Sequence, residues 1–424
     1  MKSDRMCIRF FKKAGFMIMG KILNVEYGGI NATYWMIYAV VSSFASAFLL
    51  DKGYTNSELG VILASGSVVA VFLQPFLADF ADRTKKISLI GLTQIITVLI
   101  MGMLMFCFVI DKASIALSVI FVMVIAWHTT LQPLFNSLTF KLEESGHKIN
   151  FGVCRAMGSL AYSVLCAVLG TLAEKFGTQI LPITAEIILL MLLITLCLLQ
   201  SHFKKACANR TKENKKVETE VVSETLAEEE EINLVQFIKR NKLFLLMSIG
   251  VAGIYFSNSI FNNFMLQIVE NVGGTSEDMG RILSVMAFLE IPPMFLFEKV
   301  HKKVSCKRLL QLGAISFTLK VLVAAIADSI FMVYVAQMFQ ITAFGLFLPA
   351  MVCYIDEIMD KGEAVKGQAL FTIVTTVATI FSSLVGGVIL DISGATMLLV
   401  VSTIITGTGA LLFCLVIERM KSKK

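Results

Sequence analysis

The chain has 424 residues, 56% of them hydrophobic and 16% charged, with a formal net charge of +6 and a mean hydropathy of +0.78. Soluble domains carry about 25% charged residues, so this composition excludes an ordinary soluble domain and points to an integral membrane protein. The positive balance does not indicate a nucleic-acid partner, because 31 of the 37 Lys and Arg residues fall in alternate loops and at the two ends of the chain.

The first stretch, residues 1–27, is basic with short apolar patches. It lacks a continuous apolar run followed by a small-residue cleavage site, so it is expected to be a retained cytoplasmic arm rather than a signal peptide. Its Phe10, Phe11, Phe16 and Met17 suit an anionic inner leaflet. Apolar stretches of about 20 residues, enough to cross a bilayer, then recur near 28–50, 57–79, 87–110, 114–140, 151–173, 178–200, 243–270, 277–298, 309–327, 330–355, 368–391 and 395–417. These are twelve predicted spans in an all-α membrane protein. Residues 28–200 form a first bundle of six spans and 243–417 a second, with a tail at 418–424.

Between the bundles, residues 201–242 begin basic (Lys204, Lys205, Lys215, Lys216) and turn acidic (Glu228, Glu229, Glu230, Glu231). Such a run buries too little apolar surface to fold alone and is expected to be a charged cytoplasmic linker. The alternate loops on the other side hold only Lys52, Lys112, Lys175 and Arg281. By the positive-inside rule both termini are cytoplasmic, which an even number of spans requires, and the chain is expected in the cell membrane.

Nine cysteines form no C-x-x-C pair, and most lie inside apolar runs, so neither a disulfide framework nor a metal site is predicted. Four scattered histidines form no H-E-x-x-H, and no G-x-x-x-x-G-K-[ST] occurs. A zinc protease and ATP-driven transport by this chain are therefore not expected; nor is an enzyme of another kind, or any cofactor.

Ionisable residues stand isolated inside apolar spans, foremost Arg155 in span 5, Glu290 in span 8 and Lys320 in span 9. Such a residue costs about 2.5–3.5 kcal/mol on insertion scales, and it persists where it faces a protein cavity that handles ions or solutes. Arg155 and Tyr162 are two helical turns apart, about 10 Å, on one helix face. A guanidinium fork beside an aromatic plate suits a polyol, with hydroxyls at one end and an apolar face at the other. The bland alternatives are an arginine snorkelling to the nearer surface and a tyrosine in the core. His128 beside Trp127 reads as a packing residue, Glu186 as a second acid of the cavity or of the outer surface, and Pro292-Pro293 as a bend in span 8.

The two halves echo one another. Gln74-Pro-Phe-Leu-Ala-Asp-Phe-Ala-Asp-Arg-Thr-Lys-Lys-Ile-Ser88 aligns with Ile291-Pro-Pro-Met-Phe-Leu-Phe-Glu-Lys-Val-His-Lys-Lys-Val-Ser305, an offset of 217, and Phe151-Gly152 with Lys366-Gly367, an offset of 215. Parallel six-helix repeats joined by such a linker resemble the major facilitator superfamily, which implies a solute site between the halves near mid-membrane. Asp82-Arg83-Thr84-Lys85-Lys86 is similar to that superfamily's signature loop, G-x-x-x-D-R-x-G-R-[RK], with Ala78 in place of the first glycine. The resemblance implies a gating role for Asp82, Arg83 and Lys86; ordinary positive-inside charge is the alternative.

A narrower resemblance runs through both halves. Gly60-Val-Ile-Leu-Ala-Ser with Gln74-Pro-Phe-Leu-Ala-Asp, Phe151-Gly-Val-Cys-Arg155-Ala-Met-Gly158 with Tyr162, and Met286-Ala-Phe-Leu-Glu290 resemble spans 2, 5 and 8 of the lactose permease group, the oligosaccharide–proton symporters. By that resemblance Arg155 takes the place of an arginine that grips sugar hydroxyls. Tyr162 takes that of the tryptophan under the galactosyl ring, and Glu290 that of a glutamate that hydrogen-bonds the sugar. Several of the group's charges are absent together: Asn136 or Ser137 stands for a glutamate in span 4, Gln340 and Ala343 for a histidine and a glutamate in span 10. Tyr255, Asn258, Gln337 and Thr375 stand where the group has charge pairs, while Lys320 keeps the basic residue of span 9.

The predicted substrate-binding set is therefore Arg155, Tyr162, Glu290, Asn136, Asn258 and Gln340, with Glu290 and Lys320 as the proton-coupling pair through alternating proximity. The expected function is alternating-access uptake of a sugar or glycoside by proton symport, with a small polar solute, protons and lipid as partners and a monomer as the unit. Nucleoside symport is the nearest alternative, since a related group of proton symporters shares this helical plan. Efflux of an amphipathic drug comes next, and a non-transporting sensor is the alternative from another class.

Overall fold

The computed structural model describes residues 2–83, 87–214, 240–359 and 361–420. Each predicted span is a helix or a run of helical pieces. α1 is Lys2–Tyr38, continued by a π-helical turn, Ala39–Ser43, and by Ala45–Asp51 beyond a bend of 41°. α2 (Asn56–Arg83), α3 (Leu89–Val109), α4 (Ile115–Glu143), α5 (Phe151–Phe176) and α6 (Ile180–Asn214) complete the first half. In the second half α7 is Lys242–Asn263 followed by Met265–Glu270, α8 is Ser276–His301 and α9 is Cys306–Ala325. α10 is broken into Ile330–Met338, Gln340–Ala343 and Phe347–Ile358. The final stretch, Lys361–Arg419, is two spans, α11 (361–393) and α12 (395–419), divided at Gly394 with φ 76° and ψ −179°.

Twelve membrane helices thus form two six-helix bundles related as parallel repeats, the major facilitator fold. The turns carry the repeat more sharply than the side chains do. Gly177 between α5 and α6 has φ 78°, and Gly394 between α11 and α12 has φ 76°. The two lie 217 residues apart, the same offset as the segments that begin at Gln74 and Ile291. Only glycine enters that backbone region at little cost, so both turns need it. Helix starts follow from local capping. Ser88 accepts from the Gly91 N–H (3.0 Å), Ser114 from Leu117 (3.2 Å) and Asn150 from Val153 (3.3 Å), and Thr275 forms a capping box with Asp278.

Exposed Phe72, Phe76, Phe106 and Phe331 point outward, as lipid-facing side chains do. Inside a bilayer, helices gain little by hiding apolar surface from lipid, so small residues that permit close approach decide the contacts. Gly250 of α7 is one such position: a Cβ there would sit 2.8 Å from the Gly409 carbonyl oxygen of α12.

Two boundaries differ from the expected ones. α1 reaches back to Lys2, with Leu23 and Tyr27 fully buried, so residues 16–27 pack as part of the first span. α6 extends through Asn214, making the start of the expected linker helical, while 215–239 lie outside the described residues. α8 stays one continuous helix across Pro292-Pro293, where Pro293 packs over Gly345 of α10.

Candidate functional site

The halves meet at two crossings on the face opposite the termini. In the first, α2 touches α11: a Cβ on Gly60 would lie 2.2 Å from the Ser383 carbonyl oxygen, and one on Gly387 2.3 Å from that of Asn56. In the second, α5 touches α8: a Cβ on Gly170 would lie 2.7 Å from the Ser276 carbonyl oxygen, and one on Gly280 2.4 Å from that of Cys166. Backbone lies on backbone at both. Asp391, at the end of α11, caps the start of α2 across the seam. Its carboxylate accepts from the N–H groups of Asn56 (3.0 Å) and Ser57 (2.7 Å) and from Asn56 Nδ2 (2.9 Å). Gln267 donates to Asn56 Oδ1 (2.8 Å), Thr171 to Glu277 (3.1 Å) and Ser163 to the Ser284 carbonyl (2.8 Å).

On the terminal face, ion pairs among the described residues tie groups together on one side of the seam. His202 meets Glu26 at 2.6 Å, Arg240 meets Glu363 at 3.6 Å and Lys307 meets Glu418 at 2.8 Å. The seam is therefore sealed on the opposite face. A cavity of about 410 Å³ lies between the halves and extends toward the terminal face along Gln74, Gln132 and Arg155. That volume suits a small solute. Both halves line it. Rings come from Tyr34, Trp35, Tyr38, Tyr162, Tyr255 and Phe344, amides from Gln74, Gln132, Asn258, Asn262 and Asn263, and its charged lining residues are Arg155 and Glu290.

Arg155 does not stand alone on its face. Its guanidinium carbon lies 4.0 Å from the centre of the Trp35 ring, and its Nη1 donates to Ser159 Oγ at 3.0 Å. Trp35 is steadied by Tyr34 (5.4 Å, 88°) and Tyr38 (5.3 Å, 61°). Gly158 makes room for it, since a Cβ there would strike Trp35 Cδ1 at 2.5 Å. The flat cation and the indole thus form one rigid recognition surface. Tyr162 lines the wall but is only 5% exposed, its hydroxyl 2.8 Å from Ser43 Oγ. The ring carried by the arginine is Trp35.

Across the cavity, Glu290, Gln340 and Lys320 form a chain of hydrogen bonds. Gln340 Nε2 donates to Glu290 Oε1 at 2.6 Å, while Gln340 Oε1 accepts from Lys320 Nζ at 2.6 Å. Lys320 is 1% exposed, with its ammonium 4.3 Å from the Phe261 ring centre and 3.7 Å from Met286 Sδ. The amide is interposed between the two charges and satisfies both, which is what tolerates a buried ammonium.

Of the predicted substrate-binding residues, Arg155, Tyr162, Glu290 and Asn258 line the cavity, and Gln340 sits directly behind Glu290. Asn136 does not belong to the lining: it is exposed, and Gln132, one turn earlier on α4, occupies the wall. In the gating segment Arg83 pairs with Asp79 at 2.6 Å, within its own helix. The side chain of Asp82 and the whole of Lys86 lie outside the described residues. His128 is buried away from the cavity, stacked on Tyr34 (4.4 Å, 9°) with Nε2 3.1 Å from the Tyr34 carbonyl oxygen. Glu186 is partly buried off the cavity, one carboxylate oxygen having no hydrogen-bond partner. Sequence reasoning passed over Trp35, although Tyr34, Trp35 and Tyr38 form an aromatic cluster on span 1.

Two parallel six-helix bundles, pressed together on one face around a polar cavity, define a transporter of the major facilitator type. The chain belongs to the MFS_1 like family, which matches residues 27–401. It is 22% identical over 375 residues to the uncharacterized transporter YwbF of Bacillus subtilis (strain 168), covering 88% of each chain. Among solved structures it is similar to a mutant of the nucleoside transporter NupG, with a TM-score of 0.76 at 12% identity over 93% of this chain and 99% of that one. A second NupG structure gives 0.71 at 14% identity over 94% and 100%. A bacterial homolog of the human lysosomal transporter Spinster, inward-facing and unoccupied, gives 0.66 at 14% identity over 96% and 99%. These likenesses carry the superfamily; that to the lactose permease group rests on Arg155, Tyr162, Glu290 and their neighbouring residues. The chain is a multi-pass membrane transporter, and its relatives are not enzymes.

Proposed function

We propose that this chain is a proton-coupled nucleoside transporter working by alternating access. The observation that carries the reading is the pairing of a ring-and-cation surface, Trp35 with Arg155, with a facing carboxylate, Glu290, held from behind by Gln340. A nucleoside joins a planar base, which needs an aromatic face and amide partners, to a ribose, which needs charged and polar hydrogen-bonding groups. Asn258, Asn262, Gln132 and Gln74 supply the amides. The likeness of the backbone to a nucleoside transporter supports the same reading. Sugar uptake is the second reading, favoured by the Arg155–Glu290 combination alone. The amide-rich lining argues against an amphipathic drug as cargo.

The excess of Lys and Arg on the terminal side supports cytoplasmic termini, so the conformation described here is open to the cytoplasm. Transport then requires the α2–α11 and α5–α8 crossings to part while the terminal ends of the halves close. For coupling, Glu290 is the proton-carrying group, and Gln340 behind it is the switch: solute that draws the Glu290 carboxylate into the cavity breaks its hydrogen bond with the amide and leaves Glu290 and Lys320 to rearrange. The test is ligand-induced stabilisation of the purified protein by uridine, adenosine and thymidine against galactosides. Nucleosides are expected to raise the unfolding temperature in wild type and not in Trp35→Ala or Arg155→Ala. Stabilisation by galactosides alone favours the sugar reading.

A further inference from the structure

We propose that His301, Cys306, Cys353 and Glu357 form a binding site for a soft divalent metal ion, zinc fitting best, on the terminal face of the second half. His301 is the last residue of α8, Cys306 the first of α9, and Cys353 and Glu357 lie one turn apart on the third piece of α10. One ligand atom from each lies within 4.8 Å of all the others. The individual separations are 3.3 Å from Cys306 Sγ to His301 Nδ1, 3.8 Å from Cys353 Sγ to His301 Nε2, 3.6 Å from Cys353 Sγ to Glu357 Oε1, and 3.8 Å from His301 Nε2 to Glu357 Oε1.

The triangle of His301 Nε2, Cys353 Sγ and Glu357 Oε1, with sides of 3.6–3.8 Å, is close to one face of a coordination tetrahedron, with Cys306 Sγ within 4.8 Å as the fourth donor. Zinc holds sulfur at about 2.3 Å and nitrogen or carboxylate oxygen at about 2.0–2.2 Å, which sets ligand-to-ligand edges of about 3.3–3.8 Å. Two thiols, one imidazole and one carboxylate are a donor set that zinc takes and that magnesium or calcium does not. The imidazole now turns Nδ1 toward Cys306 and Nε2 toward Cys353 and Glu357, so binding requires the ring to rotate until one nitrogen faces the centre. Phe297 stacks on that ring at 5.6 Å and 5°, so the turn about the His301 Cβ–Cγ bond requires the two rings to part and stack again.

The burial pattern suits a site that fills from solution. Cys306 is fully buried and forms the floor, whereas His301, Cys353 and Glu357 are partly exposed. With both thiols ionised, an occupied site carries one net negative charge, beside the cationic turn of Lys302 and Lys303. Occupancy ties the α8–α9 turn to the end of α10, the helix whose middle piece carries Gln340.

The experiment uses tag-free, reduced, full-length protein in detergent, stripped with a chelator and titrated with zinc against a chromophoric competitor, with cobalt as the spectroscopic probe. One zinc per chain is expected, and cobalt should give a thiolate charge-transfer band with tetrahedral d–d intensity. Loss of outer partners of a metal site commonly weakens binding about 10- to 100-fold, so Cys306→Ser or Cys353→Ser, which removes a ligand itself, should weaken it about 100-fold or more. Glu357→Gln, which keeps the side chain's shape and a neutral oxygen but removes the anionic donor, should weaken it about 10- to 100-fold and keep the unfolding profile of the stripped wild type. The proposal is overturned if the reduced protein binds no stoichiometric zinc or if the cobalt complex lacks the thiolate band. It is equally overturned if these variants bind as wild type does, or if Cys306 and Cys353 merely form a disulfide in air with no metal uptake when reduced.

Discussion

Replacing Asp391 with alanine is expected to loosen the seal on the face opposite the termini. The carboxylate accepts three hydrogen bonds at the start of α2, two of them from backbone N–H groups of Asn56 and Ser57. Those groups have no carbonyl partner inside the helix. A side chain capping a helix start contributes about 0.5–2 kcal/mol, and a carboxylate at the positive end of the helix dipole adds about 0.3–1 kcal/mol. Asp391 is exposed to solvent, so screening favours the lower part of the combined range, about 1–2 kcal/mol. The contact exists only while α2 and α11 touch, and its loss therefore falls wholly on the shut state. The shut-to-open ratio should drop about 5- to 30-fold.

The assay is alkylation of a reporter cysteine at Ser67 in the cavity wall, on a background without reactive native cysteines, by an impermeant maleimide applied from the face opposite the termini. Its rate should rise in Asp391→Ala by the same factor, and by less in Asp391→Asn, whose amide oxygen still accepts. An unchanged rate in Asp391→Ala would refute the latch.

Gly387→Leu puts side-chain atoms where backbone now stands, 2.3 Å from the Asn56 carbonyl oxygen at the Cβ alone, and should hold that face open, abolishing turnover while solute binding persists; normal turnover contradicts the crossing. Arg155→Lys should impair binding nearly as much as Arg155→Ala, because an ammonium reproduces neither the fork nor the stacking on Trp35, and titration calorimetry would expose any rescue. Trp35→Ala should cost about 1–2 kcal/mol of affinity, whereas Tyr162→Phe, which loses the Ser43 contact, should cost about 1 kcal/mol of stability and leave affinity intact; the reverse order returns the plate to Tyr162. In Glu290→Gln, solute exchange should persist and accumulation driven by a pH gradient should vanish; surviving accumulation moves the coupling role elsewhere.

The spans were legible because length and apolar character alone decide what crosses a bilayer. Their internal breaks were not. The π-helical turn at Ala39–Ser43 and the interruptions of α7 at Phe264 and of α10 at Phe339 have no proline at the break, although polar residues (Ser42 and Ser43, Asn262 and Asn263, Gln337 and Gln340) stand beside each. Glu290, Arg155 and Lys320 stood out as isolated charges, and all three lie in or directly behind the cavity wall. Gln340 was legible only as a position where a charge was missing, because a neutral amide in an apolar run carries no cost large enough to flag it. Trp35 was passed over because an aromatic residue in a membrane helix is ordinary; its distinction is the space left by Gly158 on another helix. Asn136 illustrates the converse error, since a resemblance fixes a position only to within a turn, and the wall is taken by Gln132. The cluster of His301, Cys306, Cys353 and Glu357 had no sequence spacing to reveal it, because three separate helices bring it together.

The most direct measurement of the account is uptake of labelled uridine into proteoliposomes holding the purified chain, with and without an imposed pH gradient. Uridine is expected to accumulate above the external concentration, to a level that collapses when a protonophore dissipates the gradient, and not to accumulate in Arg155→Ala. Uridine entry no faster than into protein-free liposomes, with a galactoside accumulating instead, would contradict it.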